Sequence, residues 1–390
     1  MLVSQKRTKD PTVKAVSSTG LGRFGVRYAE YMEARNGRIL ARDGSVFLSS
    51  ARFAWFNPMR SASVREADVV AVYWINGAFI SPEGLAAIDK PLVWRLSDAW
   101  PFTGGCHYPG ACDGFERACG QCPQLRRPAV DDASHRLWRR KQDAWRALDL
   151  TVTAPSRWMA DLARRSALFS GRRIEVIPTG VDLECYRPMD RSAARARWGL
   201  PQNKSLVVFG AMSPTDDIRK GYRELQQALG VIARGPLAPR VLAVVFGSDS
   251  PLPSGMPIPV MSLGRLQGDE ALAAAYNCAD VVVVPSLEDN LPNVALEAIA
   301  CGTPVVGFDV CGMPEIVRHR WNGYLVRNID GAELAEGIRW VLDDVNRLGQ
   351  LRRNARAIAE ELFDLGVQAG HYRDLYEHLC VGRSQKTANE

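Results

Sequence analysis

The sequence predicts an α/β protein built as two doubly wound halves, and three observations carry that prediction. Short runs of Val, Ile and Leu recur as strands, helical stretches separate them, and 390 residues exceed what one ordinary core takes in. Several runs, such as Asp280–Pro285, are continuously apolar instead of alternating, as expected of parallel strands covered on both faces. With 46% hydrophobic and 24% charged residues the composition is that of a globular protein, not a disordered or fibrous one. No apolar run approaches the roughly 20 residues needed to span a bilayer. Met1–Pro11 is polar and lacks the apolar centre of a signal peptide, so a cytoplasmic location is expected. The nine cysteines are then expected as reduced thiols or metal ligands.

In chain order, the first half offers strands at Thr12–Ser17, Ala67–Trp74, Pro91–Asp98, Leu150–Pro155 and Ile174–Pro178, and helices at Arg23–Asn36, His135–Leu148 and Arg157–Leu168. The second offers strands at Ser205–Ala211, Arg240–Gly247, Ile258–Leu263, Asp280–Pro285 and Pro304–Phe308, with helices at Tyr222–Ala233, Asp269–Ala279 and Asn293–Ala300. Residues 37–66 show no legible pattern. The turn Pro178-Thr179-Gly180 and the charged stretch from Pro188 set the boundary, giving domains of residues 1–185 and 186–364. Ligands of open parallel sheets sit beyond the carboxyl ends of the strands. Two facing sheets would make the cleft between them the natural site, dried by domain closure.

The net charge is +6, and the excess is local. From Pro123 to Leu200 there are fifteen Arg and one Lys against nine Asp and Glu, which covers the whole surplus. A solvated helical face and an anionic membrane surface both fit. Nucleic acid is excluded, because no recognition motif or interleaved aromatics accompany the charge.

The most informative segment runs Pro285-Ser286-Leu287-Glu288-Asp289-Asn290-Leu291-Pro292-Asn293 and continues to Glu297. It leaves a buried strand and opens a helix. Asp289 can accept from sugar hydroxyls, Glu297 from both hydroxyls of a ribose, and Asn293 marks a helix start that favours a diphosphate. An ordinary capped helix is the alternative, since Asp and Asn are common in a first turn. Ala298-Ile299-Ala300-Cys301-Gly302-Thr303-Pro304-Val305-Val306 follows, then Gly312-Met313-Pro314-Glu315 and Asn322-Gly323-Tyr324-Leu325-Val326.

These residues resemble the family-4 glycosyltransferases, whose signature is an acid, seven residues, then Glu, followed by Ala-x-Ala-Cys-Gly-x-Pro-Val-Val. Asp289-Asn290-Leu291-Pro292-Asn293 looks like the branch associated with bacterial surface polysaccharides such as colanic acid. Cys311 stands where that family usually has a second Gly. The resemblance implies the GT-B fold of two facing Rossmann-like domains, a C-terminal helix (residues 365–390) crossing back to the first, and transfer with retention at the anomeric carbon. In the family an Arg after a strand and a Lys before Gly neutralise the donor's phosphates. Lys220-Gly221 matches the second element; Ala211 and Met212 occupy the place of the first, which leaves Arg219 as substitute.

The first half carries Thr19-Gly20-Leu21-Gly22-Arg23, similar to the family's Gly-Gly-x-Gly-Arg loop, where Gly20 and Gly22 would let backbone N–H groups approach a phosphate. A plain strand–helix turn is the alternative. Next comes Leu96-Ser97-Asp98, where the branch usually has His before Asp. Ser97 cannot carry a positive charge, so His107 or another group would have to replace that His. Cys106, Cys112, Cys119 and Cys122 in the loop 104–125 suit a structural zinc knuckle by ligand type, or a thiol-lined loop. No Asp-x-Asp clamp is present, so no catalytic metal is expected.

The resemblance thus implies a nucleotide-sugar-dependent glycosyltransferase with a UDP- or GDP-sugar donor and a saccharide or lipid-linked saccharide acceptor. Lys220 and Arg219 would meet the diphosphate, Asp289 the donor sugar, Glu297 the ribose, and Ser97 or Asp98 the acceptor side. A non-catalytic subunit of a polysaccharide assembly system is the rival. A nucleotide-dependent oxidoreductase is disfavoured, because Gly20-Leu21-Gly22 lacks its third Gly and no acid ends the second strand.

Overall fold

The computed structural model describes residues 1–4, 9–16, 20–44, 46–210, 217–248 and 256–389; Thr19, Ala211 and Met212 lie outside them. The chain divides into two compact units. One comprises Met1–Pro155, Met159–Val176 and Asp374–Glu390; the other comprises Ser156–Trp158 and Ile177–Arg373.

The first unit opens with β1 (Leu2–Val3) and β2 (Lys14–Ala15), which among the described residues pair only with each other. The strand expected at Thr12–Ser17 therefore adds nothing to the main sheet; Thr12, Lys14 and Ser17 leave it too polar to be buried on both faces. The helix α1 (Gly20–Leu40) already contains Gly20 and Gly22, so these glycines form a helical first turn and not a loop. After α2 (Ala62–Arg65) come β3 (Val70–Val72), α3 (Pro82–Ala86), β4 (Leu92–Arg95), α4 (Ala133–Trp145), β5 (Leu150–Ala154), α5 (Arg157–Arg165) and β6 (Arg173–Val176). The four strands β3-β4-β5-β6 lie side by side and parallel.

An aromatic core packs on this sheet, with the Trp94 and Trp145 rings edge to face at 5.2 Å. Lys141 is buried inside it, donating to the carbonyls of Trp100 and Thr103, with its ammonium 3.4 Å from the centre of the Trp100 ring. Burial drives its pKa well down.

Among the described residues the second unit holds six parallel strands in the order β12-β11-β10-β7-β8-β9. In chain order its elements are α6 (Arg191–Arg197), β7 (Ser205–Gly210), α7 (Tyr222–Ala233), β8 (Val241–Phe246), β9 (Val260–Ser262), α8 (Asp269–Cys278), β10 (Val281–Val284), α9 (Asn293–Ala300), β11 (Val305–Phe308), α10 (Met313–Ile316), β12 (Gly323–Val326), α11 (Gly331–Leu342) and α12 (Val345–Leu362). The continuous apolar runs resolve by strand alternation. Val282 and Val284 enter one core layer, whereas Val281 and Val283 enter the layer on the other face. Asp330 and Asp344 cap α11 and α12 through their side chains, a start signal that the motif reading passed over. The last helix, α13 (Leu365–Asn389), contains the division between the units, at Arg373–Asp374.

Part of the arginine-rich stretch is committed to internal partners. Arg195 is buried, with Nη2 2.7 Å from Asp280 Oδ2, and Arg191 pairs with the same carboxylate. Arg140 is forked onto Glu83, Arg165 meets Glu116, and Arg172 donates to the Leu148 and Trp145 carbonyls. Arg140, Arg172 and Arg195 are drawn inward in this way, while the other twelve arginines of the stretch remain exposed.

Candidate functional site

The second unit brings two loops to one place. Its strand order reverses between β7 and β10, and ligands of open parallel sheets bind at such a reversal, beyond the carboxyl ends of the strands. Lys220 follows β7 and Asp289 follows β10. Gly221, with φ 65°, lies so close to Pro285 that an added Cβ would stand 1.7 Å from its carbonyl oxygen. The Leu287 N–H donates to the Arg219 carbonyl at 2.6 Å, which ties the loops backbone to backbone.

Lys220 Nζ then lies 2.6 Å from Asp289 Oδ2. Two residues assigned to different parts of a donor are thus each other's partner in the free protein. Arg219 is turned elsewhere: Nη2 lies 2.6 Å from Asp217 Oδ2, and Nη1 donates to the Glu288 carbonyl at 3.4 Å. It holds the two loops together. Asn290 is buried and accepts from Ser156 Oγ at 2.7 Å, while Leu291 packs into the core. Gly312 allows this turn, since its Cβ would meet Asn290 O at 1.8 Å. Cys311 has φ 53°, the left-handed region that explains why the resembling family has Gly at this position.

The helix starts here lack the side-chain caps of α6, α11 and α12, as those of α8 and α10 also do. Pro292 is the N-cap of α9 and Gly221 that of α7, and neither helix has a side-chain cap among the described residues. Asn293 is exposed at the first turn of α9. The capped-helix alternative therefore does not describe this segment, and the uncapped end favours an anion.

Glu297 is half-buried one turn inside α9, and Tyr276 on α8 donates to its Oε2 at 2.6 Å. Burial raises the Glu297 pKa, with the Tyr276 hydrogen bond opposing that shift. Tyr276 is itself buried, edge to face with Phe246 at 5.6 Å. Sequence reasoning missed it, because no spacing links position 276 to 297 and the Tyr stands in an alanine-rich helix that reads as packing.

In the first unit, Ser97 is exposed just beyond β4, whereas Asp98 is buried with both oxygens engaged. Its Oδ1 accepts from Trp100 N at 2.9 Å, and its Oδ2 lies 2.7 Å from His107 Nδ1. His107 Nε2 lies 2.8 Å from Ser49 Oγ. His107 is fully buried, so it cannot stand in for the missing His at a ligand; it anchors Asp98 instead.

The zinc expectation finds no support. Among the described residues no group of three or more His, Cys, Asp or Glu side chains is placed to hold a metal ion. The Gly104 and Gly114 N–H groups donate to Cys119 and Cys112 Sγ, and burial raises the Cys106 and Cys119 thiols, Cys119 to about 12. The loop is held by Asp132, which accepts from Cys122 N and Ser134 N at 2.8 and 2.9 Å, and by Lys141 beneath it. A surface depression of about 680 Å³ beside α4, lined by Glu83, His135, Arg139 and Asp143, contains none of the expected site residues.

Comparison with known proteins agrees with this architecture. α,α-Trehalose 6-phosphate synthase of Burkholderia multivorans superimposes with a TM-score of 0.65 at 16% identity, covering 97% of this chain and 87% of that one. HepE of Anabaena in complex with UDP gives 0.59 at 21% identity, covering 81% and 80%. The chain has the GT-B fold. Residues 203–344 of this GT-B chain, which include both loops, match the family described as "Glycosyl transferases group 1". D-inositol 3-phosphate glycosyltransferase of Rhodococcus erythropolis is 35% identical over 311 residues, which are 74% of this chain and 62% of the relative. The chain spans about half the length of the curated relatives it matches.

Proposed function

We propose that the protein is a nucleotide-sugar-dependent glycosyltransferase whose donor binds at the carboxyl ends of β7 and β10. The observation that carries this is the pair of loops locked together at the reversal of strand order, presenting Lys220, Asp289 and two helix starts without side-chain caps. The leaving diphosphate gains negative charge as the bond to the anomeric carbon breaks. A cation and oriented N–H groups there stabilise the transition state more than the ground state. Lys220 would exchange Asp289 for the diphosphate, releasing the carboxylate to accept from donor-sugar hydroxyls. Glu297, oriented by Tyr276, would accept from the ribose. Arg219 positions Lys220 through the loop instead of meeting phosphate.

Uracil is the favoured base, since solved neighbours of the same fold are described in complex with UDP and UDP-glucose. Retention is carried over from the family-4 resemblance. Two acceptor classes are in play. The Asp-Asn-Leu-Pro-Asn segment favours a saccharide of a surface polysaccharide, which could be lipid-linked; the names of the curated relatives favour inositol 3-phosphate. Incubation with UDP-glucose and each acceptor class, followed by mass spectrometry of the products, separates them. Calorimetry with UDP tests the common part: micromolar binding is expected, and no binding of UDP or GDP would overturn the reading.

A further inference from the structure

The helix α1 is docked by one narrow face and leaves a second organised face open. Val26, Glu33 and Gly37 lie on the docked side, and a Cβ on Gly37 would stand 2.6 Å from the Leu48 carbonyl oxygen. The Glu33 carboxylate fastens that side, accepting from the N–H groups of Ser50, Ala51, Arg52 and Phe53 at 2.5 to 3.3 Å. At 100° per residue the opposite side carries Phe24, Tyr28, Tyr31, Arg35 and Ile39 in one stripe. Phe24, Tyr28, Tyr31 and Ile39 are 71%, 57%, 63% and 55% exposed. Arg27 and Arg38 flank the stripe and are exposed with Arg35, while the helix's carboxylates, Glu30 and Glu33, are half-buried and buried toward the docked side.

A solvated helix face has no need of a phenylalanine and two tyrosines in line. Aromatic rings among arginines, with no acid between them, fit the boundary between acyl chains and anionic headgroups, where rings enter and guanidinium groups meet phosphate. We propose that α1 is a membrane-docking helix for an anionic lipid surface. The same chemistry is poorer for a protein partner, which would have to supply both an acidic and an apolar strip. This places lipid contact on α1, where aromatic rings accompany the arginines, and not on the exposed arginines between Pro123 and Leu200. The proposal rests on the exposed side chains of α1 and not on the donor loops of the second unit, so its failure would leave the glycosyltransferase reading standing, and the reverse also holds.

The test is flotation of the full chain with vesicles of phosphatidylcholine alone or containing about 30% phosphatidylglycerol. The protein should float only with the anionic vesicles, and less as salt rises. Phe24→Ser, Tyr28→Ser and Tyr31→Ser combined should cut the floating fraction at least tenfold without lowering the thermal midpoint, since these side chains are exposed. Arg27→Glu, Arg35→Glu and Arg38→Glu combined should do the same. Arg126→Glu with Arg127→Glu should leave flotation unchanged. A wild-type chain that floats with neither vesicle, or α1 variants that float as well as wild type, would overturn the proposal. Loss of flotation in the Arg126/Arg127 variant alone would overturn it too, by moving the contact off α1.

Discussion

Glu297 must be ionised to accept from both hydroxyls of a ribose, yet burial raises its pKa above the ordinary 4.5. Protonation therefore sets in at higher pH than for an exposed Glu. UDP affinity should fall as pH drops through that raised pKa, whereas the group's effect on the free protein's stability has the opposite sign and weakens the fold as pH rises through it. Glu297→Gln should cost about 1.5–3 kcal/mol of UDP binding and flatten the pH profile, as calorimetry across pH would read. Tyr276→Phe removes the bond that lowers the Glu297 pKa, so its binding profile should shift to higher pH while affinity for inorganic pyrophosphate stays unchanged. An unshifted profile would mean that Tyr276 only packs. Lys220→Ala should lower turnover more than donor affinity if its charge acts mainly on the departing diphosphate; steady-state kinetics with UDP-glucose separate the two effects.

At the scale of elements, the donor loops and the cysteine-rich loop are each set by a few backbone contacts. Gly221→Ala would thrust a methyl group into the Pro285 carbonyl at a left-handed position. It should destabilise the second unit by roughly 2–4 kcal/mol and abolish UDP binding, both measurable by thermal shift. In the first unit, burial of Asp132 is outweighed by hydrogen bonds from Ser134 and from the N–H groups of Cys122, His135 and Ala129, which hold its carboxyl below the usual 3.8. Its stabilisation is present above pH 3.8 and is lost as pH falls through the depressed value. Asp132→Ala should cost about 1–3 kcal/mol at neutral pH in denaturant unfolding.

For the whole molecule, two units with separate cores make a single unfolding transition an unsafe assumption. UDP should raise the transition of the second unit by mass action, by about 2.7 kcal/mol at a hundredfold excess over its dissociation constant, and leave that of the first unchanged. Scanning calorimetry with and without UDP reads this directly. Equal shifts of both transitions would place nucleotide contacts in the first unit as well, where Gly20 and Gly22 were expected to provide them.

The alternation of strand and helix was legible along the chain, because apolar period and turn residues are local properties. Tyr222–Ala233 and Asn293–Ala300 have in the structure the bounds that the sequence implies. The motif about Asp289 and Glu297 was legible for the same reason: its spacing lies within one loop and one helix. What the sequence could not state is which charges meet. The pairing of Lys220 with Asp289 spans 69 positions and depends on a glycine resting against a carbonyl of another strand's loop. The diversion of Arg219 to Asp217, the anchoring of Asp98 by His107, and the support of Glu297 by Tyr276 were settled by burial and packing. Which face of α1 is covered was also a tertiary matter, since its buried Glu and its exposed aromatic stripe reverse what side-chain polarity alone implies.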